Sequence, residues 1–190
     1  MNKGDIYNWI KKILTSVENL TKKTVDIHSQ EVCELDELYW FVGQKSTKDT
    51  RENVYVITAV TRNPRQIVGF DVAHDKSSER VQNIVDNAPY AEVYTTDGYQ
   101  MYMDVIFPGR HVRNISNKND TFTVEGVNAD LRHYIPILAR RSRCFTRTLK
   151  TLKAVVEVFV DAYNRFGMAK YKYRQRRPKG ELPFSVLDFL

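Results

Sequence analysis

Val32-Cys33-Glu34-Leu35-Asp36-Glu37-Leu38-Tyr39-Trp40-Phe41-Val42 is a run of β-branched, aromatic and aliphatic residues with three carboxylates in its middle. Such composition favours a strand with much of its length buried. Alternation along the strand puts Glu34 and Asp36 on one face and Glu37 on the other. A charge inside an apolar strand is costly unless something pairs with it. Asp36 is therefore the first candidate for chemistry, with Glu34 and Glu37 as neighbouring competitors.

Further strand patterns follow directly. Residues 53–62 alternate Val54, Val56, Thr58 and Val60 with Tyr55, Ile57 and Ala59, and residues 66–73 form a third run. Asn63-Pro64 between them signals a tight turn, which predicts an antiparallel meander with residues 44–52 as its first loop. Ser77-Ser78-Glu79 opens a helix to about Asn87, with Val81, Ile84 and Val85 on its buried face. A fourth strand spans 91–96 and closes at Asp97-Gly98. A short helix over 99–105 and Pro108-Gly109 lead to a fifth strand near 110–115, and residues 117–120 form a loop. Two helices complete the pattern. The first spans 122–139 with a kink at Pro136, and the second spans 146–166 with a stripe of Leu149, Leu152, Val156, Phe159 or Val160, Tyr163 and Phe166. This order predicts an α/β fold, a mixed five-stranded sheet with flanking helices, in which the first and fourth strands are neighbours.

The chain has 190 residues, enough for one domain burying roughly 70% of the surface its unfolded form exposes. Three segments are expected. Residues 1–30 form a helix (Ile6, Trp9, Ile10, Ile13, Leu14) and linker, 31–166 the core, and 167–190 a basic tail with Tyr171-Lys172-Tyr173-Arg174. Cys33 and Cys144 lack companions for a disulfide framework or a zinc site. No export signal or membrane span is evident, so a cytoplasmic protein is expected. The net charge of +6 is uneven: residues 132–179 hold fourteen Lys or Arg against Glu157 and Asp161, a local +12 that leaves −6 for the rest. A basic surface beside an acidic body suits a polyanionic partner.

Neighbouring first and fourth strands would bring Asp36 to Asp97. Two carboxylates held together repel unless a cation or a shared proton offsets them. Oxygen ligands without His or Cys favour Mg²⁺ or Mn²⁺, and two such ions about 4 Å apart activate both the attacking and the leaving oxygen of a phosphodiester. Glu125, on the helix after the fifth strand, is the candidate third ligand. Glu125, Asn128 and Arg132 share one helix face, where Asn128 is placed to steady a carboxylate or phosphate and Arg132 to offset DNA charge. Asp71, Asp75, Asp86 and Asp104 read as turn or surface residues.

Four pieces in order resemble the InsB-type transposases of the insertion-sequence-one family. They are Cys33-Glu34-Leu35-Asp36-Glu37 with Phe41-Val42-Gly43-Gln44-Lys45, Thr95-Thr96-Asp97-Gly98-Tyr99 with Tyr102, Val124-Glu125-Gly126-Val127-Asn128-Ala129-Asp130-Leu131-Arg132, and Leu138-Ala139-Arg140-Arg141-Ser142-Arg143-Cys144-Phe145-Thr146-Arg147. The resemblance covers about residues 31–166. It implies a ribonuclease H-like core, in keeping with the element order, and a DDE triad of Asp36, Asp97 and Glu125. That triad would bind Mg²⁺ or Mn²⁺ and drive cleavage and transfer of transposon ends into target DNA. Two departures stand out. Family members usually carry Arg where this chain has Gly126, a change that weakens the helix by up to about 1 kcal/mol relative to Ala. Nothing in residues 1–30 supplies the family's N-terminal zinc-binding and helix-turn-helix region, so the chain is expected to be the catalytic portion.

Arg140, Arg141, Arg143 and Arg147 crowd four guanidinium groups into eight positions, an arrangement that phosphates relieve. With Lys45, Asn128 and Arg132 they are the expected contacts to double-stranded DNA, both transposon ends and target. Cutting two ends implies a homo-oligomer on DNA. The alternatives are an inactive or regulatory DNA-binding fragment, and a ribonuclease H-like nuclease that cleaves without joining.

Overall fold

The computed structural model describes residues 30–43, 51–114, 120–139 and 148–175. The helix expected near 6–14, most of the first hairpin loop and the end of the basic tail lie outside them. Strands β1 (Gln30–Gly43), β2 (Arg51–Thr61) and β3 (Gln66–Ala73) are followed by helix α1 (Ser78–Asn87), strand β4 (Ala91–Asp97) and a 3-10 turn (Gln100–Asp104). Strand β5 (Arg110–Asn114), helix α2 (Phe122–Tyr134), a second 3-10 turn (Pro136–Leu138) and helix α3 (Leu149–Gln175) complete the order. The five strands form one mixed sheet, β3-β2-β1-β4-β5. β1 runs antiparallel to β2 with Asp36 opposite Thr58, and parallel to β4 with Glu34 opposite Thr95. The α/β architecture and the β1–β4 adjacency follow the pattern expected of the sequence.

The pleat divides β1 between two cores. Leu38, Trp40 and Val42 join Val54, Val56 and Val60 of β2 against Val124, Val127 and Leu131 of α2 and Leu152, Val156 and Val160 of α3. Cys33 and Leu35 join Ile57 and Ala59 on the opposite face, under Val81, Ile84 and Val85 of α1 and against Tyr94 and Tyr102. Both faces are covered, which is why β1 and β2 read as nearly continuous apolar runs. Each fully buried aliphatic side chain contributes about 1.5–3 kcal/mol, so this double burial fixes β1 firmly at the centre of the sheet.

Several boundaries differ from the sequence expectation. α2 stops at Tyr134 instead of continuing with a kink to Ala139. Ile135, at φ −101° and ψ 99°, is extended, as the residue before a proline prefers, and Pro136 has no N–H to continue the ladder. α3 starts at Leu149, where Thr148 Oγ1 accepts from the Thr151 N–H at 3.2 Å. Asp71, expected on a turn or the surface, lies in β3, bonded to Arg80 at 2.8 Å and Lys153 at 3.1 Å. Gly109 allows β5 to enter beside β4, since a Cβ there would come within 2.2 Å of the Ala91 carbonyl oxygen. No helix of the described residues is long and apolar enough to cross a membrane.

Candidate active site

Parallel pairing positions the two aspartates. The β1–β4 register runs from Gln30 opposite Ala91 to Glu34 opposite Thr95, and two residues further each strand presents an Asp. One carboxylate oxygen each of Asp36, Glu37 and Asp97 lies within 4.8 Å of the others. The cluster sits where β4 ends and where the chain has gone from β1 to opposite sides of the sheet, the crevice in which α/β sheets bind ligands.

α2 fixes one wall. Glu34, wholly buried on β1, accepts from the backbone N–H groups of Thr123 and Val124 at 2.7 and 2.8 Å. Its other oxygen takes the Arg62 guanidinium at 2.8–2.9 Å. A carboxylate at a helix N-terminus satisfies amides that have no partner within the helix and complements the dipole. Arg62 also donates to the Asp120 carbonyl at 3.2 Å, and Thr95 Oγ1 donates to the same oxygen at 3.0 Å. One turn further along α2, buried Asn128 donates from Nδ2 to Asp36 Oδ2 at 2.9 Å while Thr58 Oγ1 donates to its Oδ1 at 3.2 Å. The Thr58 hydroxyl thereby orients the amide so that its NH₂ faces Asp36.

Charge within the site is poorly compensated. Burial, above all, pushes the Asp36 carboxyl above its usual range; Asp97 and Glu125 push the same way, against the bonds from the Glu37 N–H and Asn128. Burial likewise raises Glu37, with Asp97 and Asp36 adding to it and Tyr102 and Lys76 opposing. Tyr102 is raised well above an ordinary phenol by burial and by the same carboxylates. Its hydroxyl sits beside Glu37 and lowers that carboxyl as a donor would, but the contact is loose: neither the hydroxyl nor Glu37 Oε1 makes a well-formed hydrogen bond among the described residues. Asp97 Oδ1 accepts from the Tyr99 N–H at 2.9 Å, which shapes the turn that ends β4.

Glu125 occupies the first turn of α2, exposed, with Thr121 Oγ1 donating to it at 3.3 Å. Its charge reaches Asp36, but among the described residues the close carboxylate group is Asp36, Glu37 and Asp97. Arg132 lies further along the same helix face, donating to the Tyr39 carbonyl at 3.3 Å. A Cβ on Gly126 would meet Arg65 Nη2 at 2.5 Å, and Arg65 donates to the Thr123 carbonyl at 3.3 Å. In this chain an arginine from the β2–β3 turn fills the space a side chain at 126 would need. Lys45, Arg140, Arg141, Arg143 and Arg147 lie outside the described residues.

Sequence reasoning kept Glu37 only as a competitor of Asp36, on the opposite face of the strand. Alternation does send it to the face of Tyr102 and Lys76, but its longer side chain still carries an oxygen to the aspartates. Cys33 is no ligand: burial, aided by Glu34, lifts its thiol to about 12. The all-oxygen donor set suits a hard divalent ion such as Mg²⁺ or Mn²⁺, and the unpartnered Glu37 Oε1 is an acceptor such an ion would satisfy. A family model described as IS1 transposase matches residues 30–166. No curated protein matches the chain.

Proposed function

Because the chain belongs to the IS1 transposase family, we propose that it cleaves insertion-sequence ends and transfers them into target DNA, using Asp36, Asp97 and Glu125 as a DDE triad. The pairing of Asp36 with Asp97 at neighbouring parallel strands carries this reading, because among the described residues no Lys or Arg pairs with either aspartate as Arg62 pairs with Glu34. Asp36 and Asp97 would hold Mg²⁺ or Mn²⁺, with Glu125 contributing from α2. When bound, the metal activates the attacking oxygen and stabilises the leaving oxygen of the phosphodiester. Asn128 keeps Asp36 in one rotamer, and the Glu34 clamp holds the helix that carries Asn128 and Glu125 against β1. Such support matters because a displacement of about 1 Å can cost roughly 10²-fold in rate.

In this reading residues 31–166 are the catalytic unit. Lys45, Arg132, Arg140, Arg141, Arg143 and Arg147 contact double-stranded DNA, making binding salt-dependent, whereas Asn128, expected among these contacts, is buried with both ends of its amide bonded to Asp36 and Thr58 and serves the site from within. The active form is a cytoplasmic homo-oligomer assembled on two transposon ends. The test is Mg²⁺-dependent joining of a precleaved end to plasmid DNA. Joining that Asp97→Asn and Glu125→Gln both abolish supports the triad. Tight binding without reaction points to a regulatory fragment, and hydrolysis without joining to a nuclease.

A further inference from the structure

Glu37 is in a setting that packing does not account for. Its side chain is only 6% exposed, Oε1 has no hydrogen-bond partner, and Oε2 stands 3.8 Å from Lys76 Nζ, beyond hydrogen-bond reach. Tyr102, with no exposed surface, holds its hydroxyl beside the Glu37 carboxylate without closing a well-formed hydrogen bond. Each buried unmet polar group costs about 1–3 kcal/mol, and a Phe or Leu would avoid the cost at either position. With Asp36 and Asp97 oxygens within 4.8 Å of one from Glu37, and the Tyr102 phenol beside that carboxylate, the donor set is one that a divalent cation would suit.

We propose that Glu37 is a further oxygen ligand of the divalent-metal centre beside Asp36 and Asp97, and that Tyr102 is its positioning residue. The assignment rests on the metal-centre reading above and extends it beyond the triad. Tyr102 donates its hydroxyl to the Glu37 carboxylate as that group turns to the ion, so the phenol and Oε1 are satisfied together. Lys76 is the cation that the metal replaces. It already lies 3.5 Å from the centroid of Tyr99 and 5.5 Å from that of Tyr55, so aromatic faces hold it when Glu37 turns away. Glu37 thereby ties the β1 strand and the turn after β4 to a single ion.

Mn²⁺ binding to the full chain without DNA, followed by the electron paramagnetic resonance of the free ion, tests this apart from activity. Glu37→Gln is expected to weaken binding by about tenfold or more and Tyr102→Phe by about tenfold, while Asp97→Asn removes it. Wild-type affinity in Glu37→Gln alongside lost binding in Asp97→Asn overturns the Glu37 assignment and leaves the metal centre standing. Undiminished binding in Asp97→Asn overturns the metal-centre reading itself. Should Glu37→Gln lose its fold by circular dichroism, Glu37→Asp replaces it, which retracts the same charge by one methylene. Unchanged affinity there overturns the assignment equally.

Discussion

Glu34 and Asp36 stand two residues apart on one face of one strand, under one helix, and their surroundings are opposite. Glu34 has an arginine on one oxygen and two helix-terminal amides on the other. Asp36 has one carboxamide, a backbone amide and the charges of Asp97, Glu37 and Glu125. Burial alone therefore does not tell a carboxylate anchored by the fold from one left short of counter-charge. The distinction lies in whether the protein itself supplies the compensating positive charge.

Removing Glu34 should have the largest effect on folding. Glu34→Ala strands the Arg62 guanidinium and two α2 amides, and is expected to cost about 3–5 kcal/mol in denaturant unfolding. A cost under about 1 kcal/mol would erase the contrast with Asp36. Asp36→Asn should do the reverse, abolishing joining while leaving the metal-free fold as stable as wild type or more so. Its pH dependence has a defined sign. A carboxyl raised in the folded state binds its proton more tightly there than in the unfolded chain, so stability falls as pH climbs from the ordinary value through the raised one. Melting in chelator from about pH 4 to about pH 7 should show a flatter decline for Asp36→Asn than for wild type. Asp71 acts in the opposite direction. Burial raises it, but Arg80 and Lys153 outweigh burial and hold it low, so its contribution is lost as pH falls. Gly126→Ala should change least. The atom its Cβ meets is the far end of Arg65, which can swing aside, and helix propensity returns up to about 1 kcal/mol, so the net change should stay within about 1 kcal/mol.

Much of the fold was legible because the pattern is local. Alternation in β1 and β2, the apolar spacing of α1 and the stripe of α3 each record what one element buries, and the adjacency of β1 and β4 was expected from element order, their parallel sense being supplied by the structure. The site was legible only in part. Asp36 and Asp97 mark themselves by interrupting or ending apolar strands. Glu34 has the same signature as Asp36, and what separates them is Arg62 and the N-terminus of α2, brought together only by folding. Glu37 was obscured because parity assigns a face and says nothing of how far a side chain reaches. Tyr102 and Lys76 lie in a turn and a loop, where no periodicity reports on their neighbours. The end of α2 was misread because Pro136 can either kink a helix or stop it, and the extended backbone of Ile135 decides the matter.

The bonds from Thr123 and Val124 to Glu34 span 89 and 90 positions, and that from Asn128 to Asp36 spans 92. Closing such long loops costs more chain entropy than pairing the nearer strands. During synthesis from the N-terminus, β1 through β5 are made and emerge before α2 does. A nascent or prematurely terminated chain therefore carries its aspartates without the helix that aligns them. The order of emergence itself leaves the carboxylate cluster without its brace until α2 has been made.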